Sequence, residues 1–185
     1  MAVERLQTQR LLLRPVEQRD APLYFSRISS REAVARTMLW AAHREEAETS
    51  AAVQRMVSRY ADPGYCRWVI ALREDDTIIG VAELLRFDMQ NRSCSFAYMI
   101  GEDYWNRGYA SEALRAVFTY GFAVLGLERI EADHFSDNPA SGRVMQKLGM
   151  VHCGRIEGKY EKDGIFHDAE CYCVSKADFF GAIRE

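Results

Sequence analysis

Three places in the chain hold residue types that could do chemistry together. The first is Tyr104–Val117, YWNRGYASEALRAV, where Arg107-Gly108 and the small residues Ala110 and Ser111 stand at the mouth of an amphipathic helix. A helix start leaves about four backbone N–H groups without helical partners and carries partial positive charge. Gly108 allows unusual φ and close approach of the backbone, and Arg107 adds a full charge, so the stretch suits an anion or phosphate cradle. Taken alone, it serves equally well as a turn with a capping serine. It is neither a dinucleotide fingerprint, lacking a glycine two before Gly108, nor a P-loop, lacking Gly-Lys-Ser/Thr. The second place is NPASGRVMQKLGM, where Asn138 and Ser141 stand three apart at a helix start. The third is Glu83, inside the apolar run TIIGVAELLR with Val81 and Leu85 on its side of the pleat. A lone carboxylate there is functional, paired with a base, or exposed at an edge.

The elements that must position these residues follow from periodicity. Arg10–Val16 reads as a first strand stopped by Pro15. Tyr24, Phe25 and Ile28 then recur at helical spacing after Asp20 as a possible cap. Ser30–Leu39 and Glu45–Tyr60 read as helices, and Asp62-Pro63-Gly64 as a break. Arg67–Leu72, Thr77–Arg86 and Ser93–Ile100 read as three successive strands of an antiparallel meander, the first two joined at Glu74-Asp75-Asp76. A helix over Ser111–Leu125, closed by Gly126, carries the stripe Ala110, Ala113, Leu114, Val117, Phe118 and Leu125. Arg129–Phe135 is a strand, Asn138–Leu148 a short helix, and Met150–Ile156 and Ile165–Ser175 strands joined through Lys162–Gly164. The expected fold is mixed α/β with one central sheet, and the length suits one domain, 1–185.

Composition sets wider bounds. The chain has 185 residues, 48% hydrophobic and 28% charged, with a formal net charge of -3. That balance gives no footprint for direct nucleic-acid binding and weakly permits a cationic substrate. No apolar run approaches the roughly 18 residues of a membrane span. The five cysteines, Cys66, Cys94, Cys153, Cys171 and Cys173, are odd in number and scattered. Cys171-Tyr172-Cys173 lacks the spacing and second pair of a zinc site, so no metal is expected. Unpaired cysteines without a signal peptide suggest a reducing cytoplasm. His134 and His167 read as structural, and Trp40, Trp68 and Trp105 as core or groove walls with no basic patch around them.

In order along the chain, LQTQRLLLRPVEQRDA, IIGVAEL, FAYMIGEDYWNRGYASEAL, LERIEADHFSDNPASGRVMQKLGM and GRIEGKYEKDGIFHDAECY resemble the GNAT-superfamily N-acetyltransferases. The resemblance is to the group of the ribosomal-protein alanine N-acetyltransferases, RimJ and RimL, and covers nearly the whole chain. It implies the GNAT fold: a central, mostly antiparallel twisted sheet flanked by helices, with splayed strands at the acetyl-CoA site. It implies that Arg107, Gly108, Tyr109, Ala110 and Ser111 bind the pyrophosphate of acetyl-CoA, chiefly by backbone N–H. Superfamily members usually carry Gln or Arg three before this glycine; here the place is Trp105, which backbone contacts tolerate. It implies too that the strand ending Met99-Ile100 pairs with the pantetheine arm and holds the thioester carbonyl.

Acetyl transfer to an amine needs a bound thioester, a neutral amine, an oxyanion donor and a proton for the leaving thiolate. An α-amine titrates near pKa ~8 and a lysine amine near ~10.4, so the former loses its proton more cheaply. A base can act through one water, and the Ile100 N–H could face the oxyanion. Many relatives protonate the thiolate with a tyrosine, but that place is Met145 here. The resemblance leaves Ser141 near the CoA sulfur as proton donor and Asn138 on the pantetheine arm. The alternative is that Asn138-Pro139 merely starts the helix. For the base, the RimL-like pattern has a glutamate in the loop before the last strand. That place falls on Tyr160, with Glu161 beside it, which leaves Glu83 and Glu161 as candidates. Asp168 matches an acid of the group that orients the amine or stabilises the loop. The implied activity is direct acetylation of a primary amine, most readily a protein N-terminal α-amine. Small amines (polyamine, aminoglycoside or amino-acid-like) and an idle acyl-CoA-binding module are the alternatives. Substrate choice would lie in Ser30–Tyr60 and the Glu157–Phe166 loop. A monomer or a homodimer fits, since exposed sheet edges can pair.

Overall fold

Apolar runs with period two dominate the middle and end of the chain, and they form the sheet. The computed structural model describes residues 3–62 and 64–181. Its strands are β1 (Leu6–Gln7), β2 (Leu11–Arg14), β3 (Cys66–Leu72), β4 (Ile78–Asp88), β5 (Ser93–Ile100), β6 (Arg129–Phe135), β7 (Val151–Lys162) and β8 (Ile165–Ser175). They make one eight-stranded sheet in the order β1-β2-β3-β4-β5-β6-β8-β7. Described pairings are antiparallel except β5 with β6, which is parallel. The helices are α1 (Ala21–Tyr24), α2 (Glu32–Ala35), α3 (Glu46–Ser58), α4 (Tyr109–Ala123), α5 (Pro139–Lys147) and α6 (Lys176–Gly181). Contacts divide the chain into two units: residues to Leu85 with Ala97–Val117, and Arg86–Phe96 with the chain from Phe118 onward.

In the first unit, Val16, Ala21, Tyr24, Ile28, Val34, Val53, Val69, Ile78 and Val81 form one buried cluster, with Trp40, Met56, Val57, Tyr60 and Met99 against it. Trp68 is wholly buried and donates its indole N–H to the Glu4 carbonyl at 2.8 Å. The expected helix after Asp20 is broken into pieces. A 3-10 turn at Gln18–Asp20 leads into α1, and Phe25–Ser29 is a π turn. The Ser30 N–H reaches Phe25 O at 3.1 Å and its hydroxyl reaches the same carbonyl at 2.7 Å, so this carbonyl is doubly engaged by a residue five ahead. Asp20 does not cap α1 through its side chain. Its carboxylate accepts from Glu17 N at 2.7 Å and both Nη atoms of buried Arg14 at 2.9 Å. The expected helix Ser30–Leu39 shrinks to α2. Beyond it Thr37 turns its hydroxyl onto Val34 O at 3.1 Å, a local bond that competes with the helical ladder. Of the Asp62–Gly64 break, Pro63 lies outside the described residues, and Gly64 has φ +80°.

The second unit packs Phe96, Phe118, Phe122 and Phe179 as an aromatic chain, with centroid distances of 4.9 Å for Phe96–Phe118 and 5.3 Å for Phe122–Phe179. The Glu157–Phe166 segment, expected as a loop, is a strand hairpin. β7 runs on to Lys162 and pairs Tyr160 with His167 and Glu161 with Phe166. The register slips between Ile156 and Tyr160, where Gly158 takes φ +56°. Asp168 holds this bulge: its carboxylate accepts from Gly158 N at 2.7 Å and pairs with Arg155. Two elements escaped the sequence pattern, the two-residue β1 and the C-terminal α6. No helix among the described residues is long and apolar enough to cross a membrane.

Candidate active site

The mouth of α4 is built by its neighbours in the first unit. Gly108 sits at φ +79°, where a Cβ would be strained, and Asn106 at φ +59°. The first helical bond runs from Glu112 N to Gly108 O at 3.1 Å, so the N–H groups of Tyr109, Ala110 and Ser111 precede the ladder. Arg10 braces the loop from behind. Its Nη1 donates to Arg107 O at 3.1 Å, its Nε to Glu112 at 2.7 Å, and its guanidinium lies 4.4 Å from the Tyr109 ring centroid. Glu112 also accepts from Thr8 Oγ1 at 2.6 Å and Arg10 N at 2.9 Å. Arg107 itself is exposed, with its guanidinium 5.7 Å from the Tyr104 ring centroid. The Arg27 guanidinium is a further 5.7 Å neighbour of that ring and bonds the Tyr104 hydroxyl. Loop conformation, leading amides and nearby guanidinium thus fit an anionic phosphate group.

β5 delivers Met99 and Ile100 just before this loop. The parallel ladder joining β5 to β6 covers Ser93–Ser95 with Arg129–Glu131 and ends there. At the far end Gly101 N donates to Ile79 O at 2.8 Å, and Trp105 Nε1 donates to Ile100 O at 2.7 Å. Trp105 is therefore a clamp on the strand end, with 41% of its surface exposed, while Trp68 is core. Gly80 on β4 is a residue that the sequence reading missed. A Cβ there would come within 2.6 Å of Ile100 Cδ1 and closer still to Met99 O. A glycine inside a strand is the signal that could have flagged this close backbone approach.

Glu83 turns out to be paired. It stands opposite Arg67 in the β3–β4 register, and its Oε2 accepts from Arg67 Nε at 2.7 Å and lies 2.5 Å from Nη2. Their side chains are 15% and 18% exposed for Arg67 and Glu83. Burial by itself would lower the Arg67 guanidinium, but Glu83 and the nearby tyrosines outweigh it and raise it. Burial pushes the Tyr24 phenol up to about 12, so it stays a neutral donor; its hydroxyl lies 3.9 Å from Met99 Sδ. Counting the β3–β4 hairpin from its acidic turn would have paired Arg67 with Glu83.

In the second unit, Asn138 precedes α5, and its Nδ2 donates to Ser141 Oγ at 3.0 Å. Met145 is buried in the core, where no proton could be delivered. Glu161 is exposed on β7, while Tyr160 on the same strand donates to Asp133 Oδ1 at 2.7 Å and Lys159 reaches Oδ2 at 2.6 Å. His134 is buried and stacked on Tyr172, with Nδ1 at 2.8 Å from Phe135 O. His167 stacks on Phe135, its ring centroid 4.8 Å away. The described residues contain no cluster of three or more His, Cys, Asp or Glu able to hold a metal ion.

The acetyltransferase (GNAT) domain model matches residues 10–151. The chain belongs to the GNAT acetyltransferase family. It is 30% identical over 173 residues to the uncharacterized N-acetyltransferase YoaA of Bacillus subtilis, covering 92% of this chain and 96% of that one. A GNAT-family acetyltransferase from Bacillus anthracis superposes with a TM-score of 0.83 at 23% identity, covering 94% and 99% of the two chains. The spermidine N-acetyltransferase of Vibrio cholerae, solved with CoA and spermine, superposes with a TM-score of 0.80 at 18% identity, covering 94% and 99%. The two structures share the GNAT fold with this chain, and the family's acyl donor is acetyl-CoA. This GNAT protein is accordingly an N-acetyltransferase.

Proposed function

We propose that this acetyltransferase works as one domain of the RimJ/RimL-like group and acetylates an α-amine, foremost a protein N-terminus, directly from acetyl-CoA. The observation that carries the reading is the α4 mouth. There the leading amides of Tyr109, Ala110 and Ser111 follow a left-handed Gly108 beside Arg107, ready for a pyrophosphate. Met99 and Ile100 hold the thioester end of the donor. The amine nitrogen attacks the thioester carbonyl carbon; the C–N bond forms and the C–S bond breaks. The amine gives up its proton through water to Glu83 Oε1, the carboxylate oxygen that Arg67 leaves open. Ser141, hydrogen-bonded to Asn138, relays a proton to the CoA thiolate: its hydroxyl proton passes to sulfur as its oxygen takes one from water, and Glu83 later releases the amine's proton to solvent.

Glu83 takes the base role ahead of Glu161, because Glu161 is exposed on a strand and has no hydrogen bond among the described residues. An α-amine titrating near ~8 is about one-tenth neutral at pH 7, so a modest base suffices. Calorimetry with acetyl-CoA and CoA, followed by thiol release with N-terminal peptides, polyamines and aminoglycosides, tests the proposal. Binding of the donor with release driven by α-amines is the expected result. Donor binding with no turnover of any amine would point instead to an idle acyl-CoA-binding module.

A further inference from the structure

We infer that Arg67 reads a carboxylate on the acceptor, so that the preferred substrate is a peptide whose N-terminal residue is Asp or Glu. This deepens the function proposed above and rests on it. Four observations lead there. Arg67 and Glu83 face each other across β3 and β4, and both Nε and Nη2 of Arg67 go to the single oxygen Oε2. Among the described residues, Glu83 Oε1 and Arg67 Nη1 carry no hydrogen bond, although both side chains are largely removed from solvent. The pair therefore leaves one carboxylate oxygen unengaged and, on the side of the guanidinium turned away from Glu83, one donor nitrogen. The surroundings are neutral phenols: Tyr24 at 4% exposure and Tyr65 at 7%, each raised above the ordinary tyrosine value by burial. Finally, the Tyr24 hydroxyl links this patch to Met99 Sδ, on the strand assigned to the thioester.

The charge balance selects the ligand. Glu83 alone would attract any ammonium, but Arg67 cancels it, so a polyamine gains one carboxylate and meets one cation. An amine that also bears a carboxylate satisfies both groups: its nitrogen at the water on Glu83 Oε1, its carboxylate at Arg67 Nη1. Because the ligand must reach past the guanidinium from Glu83 to Nη1, its amine and carboxylate must be separated by about the length of one acidic side chain and held on one residue. An N-terminal Asp or Glu meets that requirement. A guanidinium–carboxylate contact of this kind discriminates by about ten- to a hundredfold.

The test uses the full chain and peptide pairs that differ only in the first residue, Asp against Asn and Glu against Gln. The rate of thiol release gives kcat and KM. The expected result is a ten- to hundredfold preference for the acidic member, expressed mainly in KM. Arg67→Met should abolish that preference while acetyl-CoA affinity by calorimetry stays unchanged, and Arg67→Lys should restore part of it. Equal use of Asp and Asn peptides by the wild type, or a preference that survives Arg67→Met, would overturn the inference. Turnover of free aspartate without turnover of any peptide would overturn the peptide as the source of the carboxylate. If the protein binds no acetyl-CoA and releases no thiol with any amine, the acetyltransferase reading itself fails, an outcome distinct from loss of acidic preference alone.

Discussion

Replacing Gly80 by alanine should damage the donor site with one methyl group. Gly80 has no unusual φ, so the backbone accepts alanine and only the contact matters. The new Cβ would stand 2.6 Å from Ile100 Cδ1 and 3.3 Å from Ile100 Cα, and closer to Met99 O than to either. Side-chain rotation can relieve the Cδ1 contact, but the carbonyl is backbone. Reaching an ordinary separation of about 3.5 Å moves the Met99–Ile100 segment by roughly 1 Å. Overpacking of this kind costs about 1–3 kcal/mol, which in a chain of this size lowers Tm by roughly 2–12 °C. The larger effect falls on catalysis, where a misplacement of about 1 Å in a positioning element costs on the order of a hundredfold. The assay pairs a thermal melt with acetyl-CoA calorimetry and thiol-release kinetics. Gly126→Ala serves as control: it sits at φ +70° with nothing within 4 Å of a Cβ, so it should lose stability through backbone strain alone. A Gly80→Ala protein that melts lower yet keeps wild-type acetyl-CoA affinity and kcat/KM would refute the reasoning.

Other variants probe the supports. Gly142 lies under buried His134, and a Cβ there would stand 2.8 Å from Nε2 and 3.3 Å from the Tyr172 hydroxyl. Gly142→Ala should therefore destabilise by about 1–3 kcal/mol despite alanine's helical advantage of ~1 kcal/mol, and adding His134→Ala should recover part of the loss in urea unfolding. Burial pushes the Glu112 carboxyl up, but bonds from Thr8 and Arg10 outweigh it and hold it below the usual range. A carboxylate with a depressed folded pKa stabilises fully above the unfolded value of about 4.3, and the gain is lost as pH falls through the folded one. The urea midpoints of wild type and Glu112→Gln should thus differ by a constant amount near neutral pH and converge in acid; a gap that persists in acid would contradict this. Ser141→Ala should cut kcat more than acetyl-CoA affinity, and an unchanged kcat would remove Ser141 from the thiolate.

Much of this architecture was legible from local pattern. β5, β6 and β8 occupy the expected ranges Ser93–Ile100, Arg129–Phe135 and Ile165–Ser175, because their apolar and β-branched residues alternate and are bounded by turn residues. The α4 mouth was legible because glycine and small residues at a helix start are a local signal. What stayed hidden depends on partners distant in sequence or on side chains competing with the backbone. Thr37 and Ser30 spend their hydroxyls on carbonyls of the preceding turn, and this shortens one helix and widens another. The Glu157–Phe166 segment looked like a loop because Gly158 and charged residues interrupt it. The antiparallel partner β8 and the Asp168 carboxylate keep it in the sheet. Glu83 looked solitary along its own strand, and its guanidinium partner emerges once residues are counted across the β3–β4 hairpin.

The most direct test of the central claim is a product analysis. The protein would be incubated with acetyl-CoA and an equimolar mixture of an N-terminal peptide and spermidine, with thiol release and the acetylated products measured together. One thiol per acetyl group transferred is expected, with the acetyl group mapped by fragmentation to the peptide α-amine. Acetylation of spermidine while the peptide α-amine stays unmodified would contradict it.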